Sequence, residues 1–272
     1  MSQILEYILL SGIIISAFLV ILLLKKRNKS TSEFILLFWI LTSGYVIFSY
    51  LLVYNGNYLN YPNLTIIGSC IPLLSGPFMY LYIKYQTRPL FFQKVDLLHF
   101  GPFFLSFLLF FRFFFLSYDQ KVNVLLNNAS EFELEGFVKL LATYLSGIIY
   151  ITLCFVVLYS YKKKLKEDFS SVDKINFNWM LLLNIGLLLI RIVIIIIQDD
   201  RFNFSSASIY IICIGFFGIA QVKVFSEHDI INLQNQNLSL DSEKPSDPES
   251  NINSPSNNVN SLEQIYSQVI EL

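Results

Sequence analysis

The sequence predicts an all-α polytopic membrane protein, a seven-transmembrane-helix bundle with a disordered cytoplasmic tail. Hydrophobic residues make up 54% of the chain and charged residues only 14%, whereas a soluble domain carries about a quarter charged residues. The hydrophobic residues form separate runs, each close to the ~20 residues that a helix needs to cross the hydrocarbon core of a membrane. The segment after these runs is rich in Ser, Asn and Pro and has almost nothing to bury.

Seven apolar runs define the predicted spans. They are Ile4 to Leu24, Phe34 to Val53, Leu64 to Ile83, Leu97 to Ser117, Phe137 to Leu158, Trp179 to Gln198 and Ser206 to Val224. The first run is interpreted as a retained anchor, because its positive charges follow it and no small-residue cleavage site appears. The third run contains Pro72, Gly76 and Pro77. Proline removes a backbone donor, so this helix is predicted to be kinked or locally broken, either as a hinge or as a packing feature.

Lys and Arg residues collect in alternate loops and therefore predict the orientation of the chain. The densest basic run, between the fifth and sixth spans, contains Lys162, Lys163, Lys164 and Lys166 and is assigned to the cytoplasm. Loops on the same side add Lys25, Lys26, Arg27, Lys29, Lys84, Arg88, Lys94 and Lys174, and the opposite loops carry Lys121 and Arg201. The amino terminus is therefore predicted to lie outside the membrane and the carboxyl terminus in the cytoplasm.

The chain beyond the last span predicts two further segments after a transmembrane domain at residues 1–225. Residues 226–260 are predicted to form a polar helix extension and a disordered linker. In residues 261–272, apolar side chains recur at helical spacing, which predicts the start of an amphipathic helix. This short helix has nothing to pack against, so an output domain is expected to follow Leu272.

Three cations fall within the predicted spans: Arg112, Lys139 and Arg191. A charge inside the bilayer costs at least a few kcal/mol and marks a functional candidate. One interpretation is a pocket for an anionic or polar signal. The other is that these side chains snorkel to the interface or pair with an acidic residue, the candidates being Asp119, Asp199 and Asp200. His99, near Asp96, is interpreted as a hydrogen-bonded interface residue rather than as a ligand.

Enzyme signatures are not found in the sequence. It has no HExxH, no GxSxG, no glycine-rich phosphate loop and no pair of carboxylates within a span. Cys70, Cys154 and Cys213 are scattered singly and are interpreted as small apolar residues. The protein is therefore predicted not to be an enzyme, and catalytic, cofactor and metal sites are not expected.

Four blocks of the sequence resemble a known family. The blocks are SGPFMYLYIK (Ser75 to Lys84), LLHFGPF (Leu97 to Phe103), YKKKLKEDFSSVDKINFNWM (Tyr161 to Met180) and FFGIAQVKVF (Phe216 to Phe225). In order and spacing they are similar to the seven-helix membrane input region of AraC-type transcription regulators from Bacteroidetes-like bacteria. In that family a cytoplasmic helix-turn-helix module follows the linker, and this module is missing from the present chain.

The resemblance implies a sensor in the bacterial inner membrane, which passes an unknown signal through the seventh span to a DNA-binding domain. The implied partners are the lipid bilayer, an unknown small signal and a second copy of the chain, with DNA bound only through the downstream domain. The family supplies no ligand-binding residues to carry over. The alternatives are the membrane region of a sensor histidine kinase and a small helical transporter or scaffold.

Overall fold

The computed structural model describes residues 2–88, 92–127, 130–165 and 171–215, which all belong to the unit Met1–Gln221. The α-helices are α1 (Ser2–Lys25), α2 (Thr31–Tyr54), α3 (Pro62–Cys70), α4 (Pro72–Thr87), α5 (Gly101–Leu109), α6 (Phe111–Phe114), α7 (Tyr118–Leu126), α8 (Glu133–Leu165), α9 (Ser171–Ile197) and α10 (residues 200–215). Short 3-10 helices occupy Asn57–Leu59, Lys94–Phe100 and Ser130–Phe132. The described residues contain no strand, so the all-α class is confirmed for them. The predicted linker and amphipathic helix lie outside the described residues.

Several of these helices have the length and composition of membrane spans. Four qualify individually within the described residues: Gln3–Lys25, Thr31–Tyr54, Ser130–Lys163 and Asn176–Ile197. The pair α3 and α4 qualifies together but is bent by 43°, which gives five spans if the pair crosses as one. Large apolar side chains face outward on them, for example Ile14 and Ile196, which are 66% and 73% exposed. The prediction of apolar helices long enough to span a membrane is therefore confirmed for four or five of them, by length and composition.

The region of the predicted fourth span is divided into short pieces. The 3-10 helix Lys94–Phe100 leads into α5, and Phe110 separates α5 from the single turn of α6. At this break the Phe113 amide bonds the Phe110 carbonyl oxygen at 2.9 Å, a three-residue spacing. The local sequence is dominated by phenylalanine, which forms helices less readily than leucine. The predicted seventh span begins in α10 and continues outside the described residues.

The break predicted in the third span is present, and it lies at Ile71. The helix α3 ends at Cys70, and Pro72 is the first residue of α4. The chain remains helical through Pro77, although this residue lacks the amide proton that would bond the carbonyl of Leu73. Gly76 is a packing position, because a Cβ there would lie 2.8 Å from the Tyr150 ring. The role of this segment as a hinge stays a prediction.

Helix α4 packs between α2 and α8. Its residues Met79, Leu81 and Ile83 have no exposed surface. They belong to a main core that also contains Leu19, Trp39, Ile151, Leu158, Trp179, Met180, Leu183 and Ile214. Lipid is as apolar as these side chains, so close packing rather than removal from water holds the helices together.

Small residues bring three pairs of helices into close contact. The pairs are Gly12 with Ser208, Gly44 with Ser16 and Gly68 with Ser49. Such contacts are typical of membrane helices, because small side chains let the backbones approach. Gly12 of α1 contacts Ser208 of α10, and Leu19, further along α1, contacts Gly215, further along α10. The two helices therefore run parallel.

The packed helices have a Lys-rich end and an acidic end. The Lys-rich end contains the α1–α2 turn and the segment between α4 and α5, and there Ser32 bonds Gln86 at 2.8 Å. The acidic end contains the α2–α3 loop, α7 and the α9–α10 turn, and there the rings of Tyr50 and Phe204 stack with centroids 4.0 Å apart. The charge pattern assigns the Lys-rich loops to one side of the membrane and the acidic loops to the other. In the fold, the loops assigned to each side lie close to one another.

Candidate polar site within the helix bundle

Arg191 is the most deeply buried cation among the described residues, and α9 carries it into the bundle. It is 8% exposed. Its Nη2 donates to the Ser75 hydroxyl oxygen at 2.8 Å and to the Pro72 carbonyl oxygen at 3.4 Å, both in the first turn of α4. The Nε atom is buried and has no hydrogen-bond partner. The guanidinium is thus only partly satisfied, and its two hydrogen-bond acceptors are neutral.

Two local features of the sequence make room for Arg191. On α8, Gly147 lets the guanidinium approach, since a Cβ there would lie 3.1 Å from the Arg191 Nε. On α4, the Ser75 hydroxyl donates to the Pro72 carbonyl oxygen at 2.8 Å and so presents its own oxygen to the arginine. The site therefore joins α9 to the start of α4, next to the bend between α3 and α4.

Asn184 adds a second unsatisfied polar group to the buried face of α9. It lies two helical turns before Arg191 and close to the same face. It has no exposed surface, and neither its side-chain oxygen nor its nitrogen has a hydrogen-bond partner. An unsatisfied buried amide costs about 1–3 kcal/mol. Asn184 was not among the predicted site residues, although a lone Asn within an apolar run is a recognisable signal.

A layer of aromatic and imidazole groups lies between α4 and α8, toward the Lys-rich end. The His99 Nδ1 lies 3.0 Å from the Tyr150 hydroxyl oxygen, and this hydroxyl also donates to the His99 carbonyl oxygen at 3.2 Å. The Tyr80 ring packs against His99 with centroids 5.0 Å apart. The prediction that His99 is a hydrogen-bonded residue is confirmed. Its Nε2 lies 4.0 Å from Asp96.

Asp96 closes the Lys-rich end of this region with a partly buried ion pair. It is 3% exposed, and its two oxygens accept hydrogen bonds from the Lys84 Nζ at 2.6 and 2.9 Å. The Tyr85 hydroxyl donates a further short hydrogen bond to it. Burial alone would raise the pKa of Asp96, but the hydrogen bonds from Lys84 and Tyr85 outweigh burial and lower this pKa below its ordinary value. Asp96 is therefore ionised at neutral pH.

The other two predicted site cations, Arg112 and Lys139, lie elsewhere, on an aromatic cluster at the acidic end. This cluster consists of Ile66, Cys70, Phe110, Phe113, Val124 and Phe132. The Arg112 Cζ lies 4.5 Å from the centre of the Phe132 ring, and its Nη2 donates to the Glu131 carbonyl oxygen at 3.0 Å. The Lys139 Nζ lies 5.4 Å from the centre of the Phe110 ring. Both contacts are cation–π interactions.

The contacts among the described residues do not join Arg112, Lys139 and Arg191 directly, so a pocket shared by the three stays a prediction. The acidic partners of the cations also differ from the predicted candidates Asp119, Asp199 and Asp200. Arg112 lies 3.7 Å from Glu135, and Asp199 is paired with Arg201 at 2.7 Å. None of the ion pairs among the described residues involves Lys139 or Arg191.

The basic run that sets the orientation is described only in part. Lys162 and Lys163 are exposed near the end of α8, and the Lys162 Nζ lies 5.8 Å from the centre of the Phe177 ring. The side chain of Lys164 and the whole of Lys166 lie outside the described residues. Within the described part of the chain, no group of three or more His, Cys, Asp or Glu side chains is placed to hold a metal ion.

No protein-family model matches the chain, and no curated protein or solved structure matches it. The resemblance to the AraC-type input region therefore stays a prediction based on the four sequence blocks.

Proposed function

We propose that this chain is the membrane-embedded sensor of a one-component AraC-type transcription regulator in a bacterial inner membrane. The observation that carries the proposal is Arg191, a buried cation whose acceptors within the described structure are neutral. A buried charge without a carboxylate is costly and is retained where it has a task. The task assigned to it here is to respond to a polar or anionic signal beside the bent α3–α4 pair.

Seven crossings, with the amino terminus outside, are part of this proposal. Two features beyond the qualifying helices support it. First, α10 runs parallel to α1 and packs into the main core through Ile214, as a further span would. Second, the 3-10 helix Lys94–Phe100 together with α5 and α6 leads from the Lys-rich end to the acidic end. This broken segment would supply the remaining crossing.

A route for the signal follows from the contacts of α9. The Tyr210 hydroxyl of α10 donates to the Leu183 carbonyl oxygen of α9 at 2.8 Å. The Tyr210 ring also packs against Gly186, because a Cβ there would lie 2.5 Å from the ring. A shift of α9 caused at Arg191 would therefore reach α10, the helix that precedes the carboxyl-terminal segment in the chain. The linker that the sequence predicts would transmit rotation poorly, so the output is proposed to be dimerisation or tethering of the DNA-binding domain.

The test is transcript profiling in the host bacterium, using the intact gene on the chromosome. A deletion strain is compared with strains carrying Arg191→Leu, Arg191→Lys or Arg201→Gln. The last is a matched control, because Arg201 is an exposed arginine at the acidic end. We expect the deletion and Arg191→Leu to change the same set of transcripts, Arg191→Lys to change it partly, and Arg201→Gln to leave it unaltered.

Two outcomes would contradict the proposal, and they are distinguishable. If the deletion changes no transcript, the chain does not regulate transcription. If the deletion changes transcripts but Arg191→Leu, present at normal abundance in the membrane, does not, then Arg191 is not part of the sensing site. Reporter fusions at the carboxyl terminus test the orientation separately, and a periplasmic signal would refute the seven-span arrangement.

A further inference from the structure

A second polar site lies at the acidic end of the bundle, well separated in sequence from Arg191. It is an open pocket of about 370 Å³ between the start of α3 and the helix α7. Five polar or aromatic side chains line it: Asn60, Tyr61, Asn63, Tyr118 and Lys121. The volume falls in the range of about 300–1,000 Å³ that is typical of small-molecule sites.

Lys121 supplies the charge of this pocket. It is 9% exposed, although it lies in a polar segment that contains exposed residues on both sides. Its Nζ donates to the Phe114 carbonyl oxygen at 3.0 Å and lies 5.9 Å from the centre of the Phe113 ring. An ammonium group has three donors, and these contacts use one of them. No ion pair among the described residues includes Lys121, and no carboxylate lines the pocket.

The remaining lining residues are suited to a small organic ligand. Tyr61 and Tyr118 are 53% and 55% exposed, so both rings offer apolar surface to the pocket. Asn60 and Asn63 are exposed amides that can donate or accept hydrogen bonds. The Tyr118 hydroxyl donates to the Leu59 carbonyl oxygen at 3.2 Å. This bond ties the α2–α3 loop to α7, so the two walls of the pocket are held together before a ligand binds.

We propose that this pocket binds a small carboxylate that has an apolar body. The carboxylate would contact the buried Lys121 ammonium group, where a charge-assisted hydrogen bond is stronger than one between neutral groups. The apolar body would pack on the tyrosine rings, and the asparagine amides would satisfy the second carboxylate oxygen. This binding does not depend on the role in transcription, because it concerns residues other than Arg191 and its contacts.

The test uses the full chain, purified in lipid nanodiscs, with benzoate as the probe. Benzamide is the matched ligand control, because it has a similar shape and no charge. Binding is measured by calorimetry and by the shift in thermal unfolding. A charge-assisted contact contributes about 1.5–3 kcal/mol, so we expect benzoate to bind at least about tenfold more tightly than benzamide.

Variants assign the binding to the pocket. Lys121→Met is expected to weaken benzoate binding at least about tenfold, whereas Lys121→Arg keeps the charge and most of the affinity. Tyr61→Ala removes an exposed ring that the fold does not need, and it is expected to weaken binding by a few fold. Arg201→Gln, an exposed cation elsewhere at the acidic end, is expected to leave binding unchanged.

The proposal is overturned if the unaltered chain shows no saturable benzoate binding, if benzamide binds equally well, or if Lys121→Met retains full affinity. If Lys121→Met does not fold, the benzamide comparison and the Tyr61→Ala variant decide instead, since both are made on a folded chain. A negative transcript experiment leaves this result untouched, and the reverse is also true.

Discussion

The two ends of α4 hold cations in opposite ways, Lys84 partly buried and Arg191 buried. At its last turn, Lys84 is bound to the buried carboxylate of Asp96, which also accepts a hydrogen bond from Tyr85. At its first turn, the cation comes from α9, and Arg191 meets only the Ser75 hydroxyl and the Pro72 carbonyl oxygen. In the first arrangement the negative charge of Asp96 balances the positive charge of Lys84, and hydrogen bonds join the two side chains. The second lacks a negative charge and leaves the Nε atom unpaired.

The difference separates a structural pair from a functional candidate. A buried ion pair whose members satisfy each other fixes the register of the segments that carry them, here the end of α4 and the 3-10 helix Lys94–Phe100. A buried cation without a carboxylate contributes little to stability, and its uncompensated positive charge can bind an anionic or polar ligand. The two ends should therefore respond differently when one partner is removed.

The largest effect is expected from Asp96→Asn. The substitution leaves the Lys84 ammonium group without its counter-ion, and we expect a loss of about 2–4 kcal/mol in the free energy of unfolding. Unfolding in SDS, followed by the fluorescence of the buried Trp39 and Trp179, measures it. Glu33→Gln is the matched control, because the Lys26–Glu33 pair is more exposed and such pairs contribute about 0–1 kcal/mol. Equal losses in the two variants would show that burial of the Asp96 pair adds nothing.

The helices that carry these two cations are predictable from the sequence, whereas the contacts of the cations are not. The apolar runs predicted the helices, and Pro72 predicted the break between α3 and α4, because both depend on local composition. The Lys84–Asp96 pair was missed, since both residues were treated only as charges flanking a loop. The signal was present in the opposite charges at the two ends of that loop. Recognising the pair required the 3-10 turn that carries Asp96 back to α4.

The different contacts of the three candidate cations could not be predicted either, because they also depend on how distant segments pack. Arg112, Lys139 and Arg191 were grouped because all three fall in the same half of the bilayer in a map of straight spans. The break at Phe110 instead places Arg112 beside the Phe132 ring, and the rotation of α9 turns Arg191 toward Ser75. Both features depend on packing between helices distant in sequence, and a single sequence carries little information about it.

A smaller effect, of opposite sign, is expected from Asn184→Leu on the buried face of α9. The amide of Asn184 makes no hydrogen bond in the described structure, and leucine has a similar size. Removing an unsatisfied polar group should raise the free energy of unfolding by about 1–2 kcal/mol. The same SDS titration measures the change. Ser146→Ala in α8 is the control, because it replaces another buried polar residue by a small apolar one. A clear loss of stability in Asn184→Leu would show that the amide has a partner, such as a bound water.

The smallest change in stability is expected from Arg191→Leu, and this result would complete the comparison with Asp96. The substitution removes a buried charge that has no counter-ion, and it leaves behind only Ser75, whose hydroxyl already donates to the Pro72 carbonyl oxygen. The lost hydrogen bonds and the relieved burial cost are of similar size, so the free energy of unfolding should change by less than about 1 kcal/mol. If Arg191→Leu destabilises the chain as strongly as Asp96→Asn, then Arg191 is a structural residue like Lys84. If Arg191→Leu is stable but no longer regulates the transcripts, the two ends of α4 have different roles. The end with Lys84 and Asp96 then stabilises the fold, and the end beside Arg191 receives the signal.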